Sequence, residues 1–577
     1  MTTTAYAPTN EQRDIIRHAG HAFVRACPGA GKTRTMVERA RVVLADRTDG
    51  RAVAFLSFTN AAVDELAARL TAFGALPVPI FPNFIGTFDS FLWQFLIAPF
   101  GIDGCAGAPR LIPDKKDWVV KPPFDKAQAL TLDCFDRQTG SLIQAKADDV
   151  AFKPTNGPRA WETAAKAIIA RSLADGRLDF QDVRLCVGRR LADKVFAARV
   201  GAALAGRFRE VVVDEAQDCN PADLEIIAWL RASGVTVKII CDPNQGIYGF
   251  RGGVTGELET FSGTFDKVDH LPMSGNFRSS PAICAAISQL RPPASRAAPD
   301  QAFGRFKTET TPVYLLSYGG VSVPSAIGVS FLGLAKGLGI APHQAPLLAA
   351  TWDSASNAAG RRAVKVKTDK TLGLAQSVMA FLSAFEAGNR REALGRLHRS
   401  VLIVQGHIAD VGEYGTHLTK PEIEGADWRP EIIAIGQALQ PRAEETADAW
   451  LDRARRLLDR DLIGPSTINQ RLRSNDKLGS LLASSQATDL PARAIHAVKG
   501  LEFPAVCVVL TPQTTGKILG VLAGGSSTPE LIEDARKIYV AASRAERLLA
   551  IATPKNSVAT LKTLLDAGGL PVIVVEI

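Results

Sequence analysis

Short runs of β-branched and aliphatic residues recur along the chain, each followed by a polar or glycine-rich loop and then by apolar positions three and four apart. Ala22-Phe23-Val24 leads into a loop of small residues, and Thr33 to Leu44 reads as a helix with few breakers. Val53 to Phe58 ends at Thr59-Asn60, after which Val63, Leu66, Ala67 and Leu70 keep helical spacing. Further strand-like runs are Glu210–Val213, Val235–Cys241, Val313–Leu316, Pro346–Ala349, Val506–Leu510 and a closing Leu548–Ala552. Strand, loop and helix in alternation predict an α/β fold of parallel sheets, whose ligand contacts gather at the carboxyl ends of the strands.

Two stretches break the alternation. From about 101 to 206 the pattern turns to helices and loops with clustered lysines (Lys115, Lys116, Lys121, Lys126), expected as a solvated face of which some touch phosphate backbone. From about 354 to 490 it is again largely helical, broken near Gly388, Gly412 and Gly464. The expected organisation is therefore a first core of residues 1–100 and 207–280 with helical insertion 101–206, and a second core of 281–353 and 491–577 with helical insertion 354–490. A length of 577 residues suits such a multi-unit chain. Arg291 to Asp300 reads as a Pro/Ala-rich linker, Thr511 to Pro529 as a loop, and Glu530 to Arg547 as one helix.

Composition narrows the class. No apolar run approaches a membrane span and the N-terminus lacks the basic and apolar regions of a signal peptide, so no membrane partner and a cytoplasmic location are expected. Eight cysteines scattered singly read as reduced, buried small hydrophobes. The net charge, 67 − 59 = +8, is compatible with a nucleic-acid partner.

The chemistry starts at Ala26–Thr33. Pro28, Gly29, Ala30 and Gly31 keep side chains away, so backbone N–H groups can wrap a diphosphate at a helix N-terminus; Lys32 then reaches the β- and γ-phosphates and the Thr33 hydroxyl binds Mg²⁺. Upstream, Gln12 offers the donor and acceptor that read an adenine edge. The strand ending in Asp214-Glu215 presents one carboxylate for Mg²⁺ and one for the attacking water. Gln245 can sense phosphate, and Tyr248 and Phe250 on the same glycine-rich loop suit stacking on single-stranded bases.

In order, ACPGAGKT, FTNAAVDEL, VVVDEAQD, DPNQGIYGFRGG, NFRSS, HAVKGLEF and YVAASRA resemble the motifs of the superfamily 1A DNA helicases of the UvrD/Rep/PcrA type. The resemblance covers the two cores and implies two RecA-like motor domains, with ATP and Mg²⁺ bound between them and single-stranded or tailed duplex DNA as substrate. On the nucleotide side it implies Ala26, Cys27, Pro28, Gly29, Ala30, Gly31, Lys32, Thr33 and Arg34 around the phosphates, with Asp214 on the metal. It gives Gln12 and Phe277 to the adenine, Gly500 and Glu502 to the ribose side, Glu215 to the water and Gln245 to the γ-phosphate, with Arg278 and Arg544 as arginine fingers. On the DNA side it implies Thr59, Asn60, Thr87, Tyr248, Phe250 and His496 along the track, with Arg251 coupling it to ATP.

Three positions depart from the family pattern: Ala61 for a lysine, Asp89 for a histidine and Ala494 for a threonine, all on the DNA side. The resemblance therefore implies two activities to separate: a 3′–5′ translocase or helicase, or a DNA-sensing ATPase subunit that regulates a partner nuclease, as in compact UvrD-like subunits of anti-phage systems such as Gabija.

Overall fold

The computed structural model describes residues 7–577 except 46–48, 73–79, 106, 113, 125–126, 155–156, 248–254, 297–299, 361–368, 387–389, 410–412, 419–427, 443, 484–489 and 570. The strand-forming runs pair into two parallel sheets of six. The first contains β1 (Ala22–Ala26), β2 (Ala52–Ser57), β3 (Phe84–Thr87), β4 (Phe208–Val213), β5 (Thr236–Cys241) and β6 (His270–Met273), in the order β6-β1-β5-β4-β2-β3. Alternate residues serve opposite faces, as the pleat requires. Val211 and Val213 join Phe23 and Ile239 in one core, while Val212 joins Val24, Ile240 and Phe55 in the other. Because all the strands run the same way, the loops after β1, β2, β4 and β5 emerge along a single edge.

The second sheet holds β7 (Val313–Tyr318), β8 (Leu347–Ala349), β9 (Ala492–Ala494), β10 (Phe503–Val509), β11 (Ala545–Pro554) and β12 (Val572–Glu576), ordered β9-β8-β10-β11-β7-β12. Its faces divide the same way, with Val506, Val508, Leu549 and Ile551 on one and Cys507, Val509, Leu548 and Ala550 on the other. The fold is α/β with two parallel sheets, as the alternation predicts, and the pair matches the two RecA-like domains that the resemblance implies. All eight cysteines are free and six of them are buried. Among the described residues no helix is long and apolar enough to cross a membrane.

The helical stretches build cores of their own, although Leu178, Val183, Val187, Val200 and Leu204 of the first stretch join the first sheet's core. Residues 370–483 pack helices Lys370–Glu386, Arg390–Gln405, Arg429–Ala438 and Ala447–Leu458 around Trp450, whose indole N–H donates to the Leu439 carbonyl at 2.8 Å. Gly388 and Gly412, expected as breaks there, lie outside the described residues. The stretch 101–206 adds short β pairs to its helices, Arg110–Leu111 with Arg177–Leu178 and Val119–Val120 with Leu130–Thr131, over a core containing Phe135 and Trp161.

Several expectations are corrected. Lys115 is not on a solvated face: it is 1% exposed, 2.5 Å from Asp182, and donates to the Arg177 carbonyl at 2.6 Å. A buried ammonium survives only with such partners, and they lie more than 50 residues away in sequence. Lys126 falls outside the described residues. Arg291 to Asp300 is no plain linker, because its two end residues are buried and ion-paired with each other. Thr511–Pro529 contains a helix, Thr515–Leu522, anchored by Ile518, Leu519 and Leu522. The helix expected to run through Arg547 stops at Ala542, because Ala545 onward is drawn into β11 between β10 and β7. Leu548–Ala552 does not close the sheet, since β12 adds an edge strand.

Candidate active site

The phosphate loop joins β1 to the helix Lys32–Ala45 and is pinned from both ends. Cys27 N–H donates to the Met273 carbonyl of β6 at 2.9 Å, and Phe277 N–H donates to the Gly29 carbonyl at 2.8 Å. Gly29 and Gly31 take φ of +68° and +77°, the left-handed region where a side chain is strained. Space forbids one as well: a Cβ on Gly29 would stand 2.6 Å from Arg278 Cβ. Ala26, Cys27 and Ala30 are buried, while Thr33 and Arg34 open the helix at intermediate exposure. Gln12 is buried beneath the loop in the helix Asn10–Arg17, reciprocally capped with Thr9, and its Nε2 donates to the Ala30 carbonyl at 2.9 Å.

Lys32 Nζ lies 2.9 Å from Glu215 Oε1. Burial lowers the lysine's pKa, but Glu215 and Asp214 more than offset this and hold the ammonium above its ordinary value. The two acids are pushed apart. Burial and the Glu215 charge raise Asp214, whereas Lys32 and Lys499 outweigh burial at Glu215 and hold it low. Glu215 has φ of +57°, an uncommon conformation for a non-glycine residue that turns the chain out of β4. Asp214 Oδ1 is buried with no hydrogen-bond partner among the described residues, so one strong acceptor is left over at the strand end. An orphaned carboxylate oxygen, with the Thr33 hydroxyl in the first turn of the helix that opens at Lys32, fits Mg²⁺, which takes one or two protein ligands and completes its shell with phosphate and water.

A hydrogen-bond chain runs from Glu215 into the other sheet. Gln217 Nε2 donates to Glu215, and its Oε1 accepts from Asp242 N–H at 3.1 Å. Asp242 Oδ2 in turn accepts from Gln245 Nε2 at 2.9 Å and from Tyr539 OH at 3.1 Å. Gln245 Oε1 accepts from Arg544 Nη2 at 2.7 Å. Arg544 stands just before β11 and Glu502 just before β10, side by side because Phe503 pairs with Ala545. A cleft therefore lies between the carboxyl edge of the first sheet and the amino edge of the second. Arg278 Nε donates to Glu502 at 2.8 Å and its Nη1 to the Ser543 carbonyl at 3.0 Å, with the same residue's Cβ against Gly29. Phe277 flanks Gly31 across from Gln12, and Gly500 turns with φ of +83° between Lys499 and Glu502. Lys499 Nζ bridges the lobes, 2.5 and 2.6 Å from the two Asp218 oxygens.

The residues expected along a DNA track divide. Thr59 and Asn60 are exposed at the end of β2, and Thr87, at the end of neighbouring β3, caps the next helix by accepting from Ser90 N–H at 3.1 Å. These three share one edge of the first sheet. His496 is exposed on the turn after β9 in the second. Tyr248, Phe250 and Arg251 lie outside the described residues. Asp89 is committed elsewhere: Arg184 sits 2.7 Å from both Asp89 and Asp223, tying the helix Phe180–Leu191 to the first core.

The family model for the UvrD/REP helicase N-terminal domain matches residues 8–266, and that for the UvrD-like helicase C-terminal domain matches 470–556. The chain belongs to the UvrD-like helicase family. Its relatives are distant. ATP-dependent DNA helicase UvrD2 of Mycobacterium tuberculosis (strain ATCC 25618 / H37Rv) is 24% identical across 94% of this chain and 78% of its own length. UvrD1 of the same strain is 24% identical across 48% of the chain and 38% of its own length. DNA helicase II of Haemophilus influenzae (strain ATCC 51907 / DSM 11121 / KW20 / Rd) is 26% identical across 49% of the chain and 40% of its own length.

For this UvrD-like chain, reading the sequence for single chemical roles passes over the connecting residues. Gln217, Asp218, Asp242, Lys499 and Tyr539 all lie inside motifs quoted for other members. All but Tyr539, which lies in the helix Pro529–Ala542, follow a strand or precede one at the cleft, and that placement was the available signal. Arg291, which approaches Tyr539 OH at 3.4 Å, carried none.

Proposed function

We propose that the chain is an ATP-dependent DNA translocase or helicase of 3′–5′ polarity, in which Mg-ATP hydrolysis between two RecA-like cores drives movement on single-stranded DNA. The contact that carries the reading is Arg544 of the second core on Gln245 of the first at 2.7 Å, one hydrogen-bond chain away from the Lys32–Glu215 pair. A guanidinium supplied across a cleft to the γ-phosphate stabilises transition-state charge only when the cleft is shut, so turnover and closure become one event. In this reading Lys32 and the loop 26–34 hold the phosphates and Glu215 orients the attacking water. Gln245 senses the γ-phosphate, Arg278 and Arg544 act as fingers, and Gln12, Phe277, Gly500 and Glu502 hold the nucleoside. Thr33 and Asp214 would hold Mg²⁺, which neutralises charge on the β- and γ-oxygens. Residues 1–100 with 207–280 and 281–353 with 491–577 form the cores, and 101–206 and 354–490 are their insertions. Thr59, Asn60, Thr87 and His496, with Tyr248, Phe250 and Arg251, grip the strand.

A second reading, a DNA-sensing ATPase that regulates a partner nuclease in anti-phage defence, is supported by Asp89. At a position where the family places a histidine on DNA, this side chain is a counter-ion of Arg184. Two measurements on the isolated chain decide between them: ATPase with and without single-stranded DNA, and strand displacement on a 3′-tailed duplex. DNA-stimulated turnover with displacement supports the motor, stimulation without displacement supports the sensor, and no stimulation ends both.

A further inference from the structure

Phe277 does not stand alone at the nucleoside end of the cleft. The segment after the second core's first helix returns to it: Gly275–Asn276 and Gln301–Ala302 pair as two short parallel strands, Gln301 N–H donates to the Ser274 carbonyl at 3.2 Å, and Phe303 N–H donates to the Asn276 carbonyl at 2.7 Å. The register delivers the ring of Phe303 to that of Phe277, with centroids 6.0 Å apart and planes tilted by 35°. Two glycines permit the approach. A Cβ on Gly275 would fall 2.6 Å from Phe303 Cδ2, and one on Gly304 would overlap the Phe277 carbonyl oxygen at 1.9 Å. Phe277 is thus held on one side by Gly31, whose Cβ position lies 3.9 Å from its ring, and on the other by Phe303. Phe303 itself remains 45% exposed.

We propose that Phe303 is a positioning residue for the base: it fixes the plane of Phe277 and so sets how strongly the site prefers a nucleotide over its bare phosphate chain. The inference rests on the reading of Phe277 as the base-stacking ring and extends it to a second residue. An aromatic pair contributes an increment that corresponds to roughly three- to tenfold in an equilibrium. The phosphate loop is held by backbone bonds from Cys27 N–H and Phe277 N–H, neither of which involves the Phe303 ring.

The test compares wild type, F303A, F303Y and F277A for binding of ATP and of inorganic tripolyphosphate, with steady-state KM and kcat for ATP. F303A is expected to weaken ATP about three- to tenfold, with the change in KM and not in kcat, to bind tripolyphosphate like wild type, and to be rescued by F303Y. F303A that binds ATP like wild type while F277A is impaired overturns the role of Phe303 and leaves the stacking reading intact. Equal loss of ATP and tripolyphosphate by F303A also overturns it, because the residue would then be supporting the phosphate loop. If F277A itself binds ATP like wild type, the stacking reading fails and takes this inference with it.

Discussion

Replacing Arg544 separates its proposed chemistry from its structural role, because the side chain is charged, almost wholly buried and surrounded by neutral acceptors. Its guanidinium donates to Gln245 Oε1 at 2.7 Å, to the Val540 carbonyl at 3.1 Å and to the Leu501 carbonyl at 3.4 Å. Burial, reinforced by the Arg278 charge, pushes its pKa from 12.5 down to about 10. At about 1.36 kcal/mol per tenfold, that places about 3 kcal/mol on keeping the cation in this buried position. The group stays charged at neutral pH, so the fold carries that cost. Arg544→Met removes the cost, keeps most of the volume, and leaves Gln245 Oε1 unsatisfied for about 1–3 kcal/mol. The two nearly cancel, so the nucleotide-free melting midpoint should move by no more than about 5 °C. Catalysis should not survive: loss of an arginine finger costs about 10³–10⁵ in turnover, or about 4–7 kcal/mol of barrier. Steady-state ATPase with single-stranded DNA, beside thermal melts with and without ATP, reads both quantities. A variant retaining a tenth of the turnover, or one melting far below wild type without nucleotide, would refute the reasoning.

Glu215→Gln keeps the side chain's size while removing the base and freeing Lys32 from its 2.9 Å partner. Turnover should fall by about 10²–10⁴ with ATP affinity unchanged or tighter, checked by steady-state kinetics beside equilibrium binding. Arg184→Ala leaves buried Asp223 and half-buried Asp89 without their shared cation and should cost about 3–5 kcal/mol in denaturant unfolding. Asp218 is raised to about 6 by burial, against the pull of Lys499. The folded chain therefore takes up a proton there between pH 6 and pH 4 that the unfolded chain does not, so this group lowers stability as pH rises through that window. Asp218→Asn should remove that slope, measured as the difference between wild-type and variant unfolding midpoints across pH 4–7.

The parts legible from sequence are those where neighbouring residues do the work. Ala26–Thr33 reads as a phosphate loop because glycines and a lysine must be contiguous for a backbone cradle, and β-branched runs such as Val211–Val213 read as strands because both faces are buried. Arg544 was legible as a residue and not as a position. Ala541 to Arg547 are good helix formers, yet pairing of Ala545 onward with β10 and β7 overrides that preference. Lys115 misled for the complementary reason: a lysine among lysines looks solvated, and nothing local points to Asp182 as its counter-ion. Asp89 could be seen to differ from the family but not why, since Arg184 and Asp223 come from distant segments.

The two sheets meet asymmetrically, and this gives the cleft a direction. From the first come loops that follow strands, where small residues, a lysine and acids are presented by backbone fixed in the sheet. From the second come Glu502 and Arg544, which precede strands, so any rotation of that sheet carries both as a unit. Asp242 is the shared point, accepting from Gln245 in its own lobe and from Tyr539 in the other, while Lys499 forms a direct ion pair with Asp218 beside it, as Arg278 does with Glu502. His496 lies three residues before Lys499 on the same turn that leaves β9. With the proposed roles, a strand of DNA pressing on that turn and a phosphate arriving at Gln245 would act on the two ends of one link, since Lys499 Nζ donates to the Gln245 carbonyl at 3.4 Å. In the proposed motor, that common lever is how occupancy of one site is felt at the other.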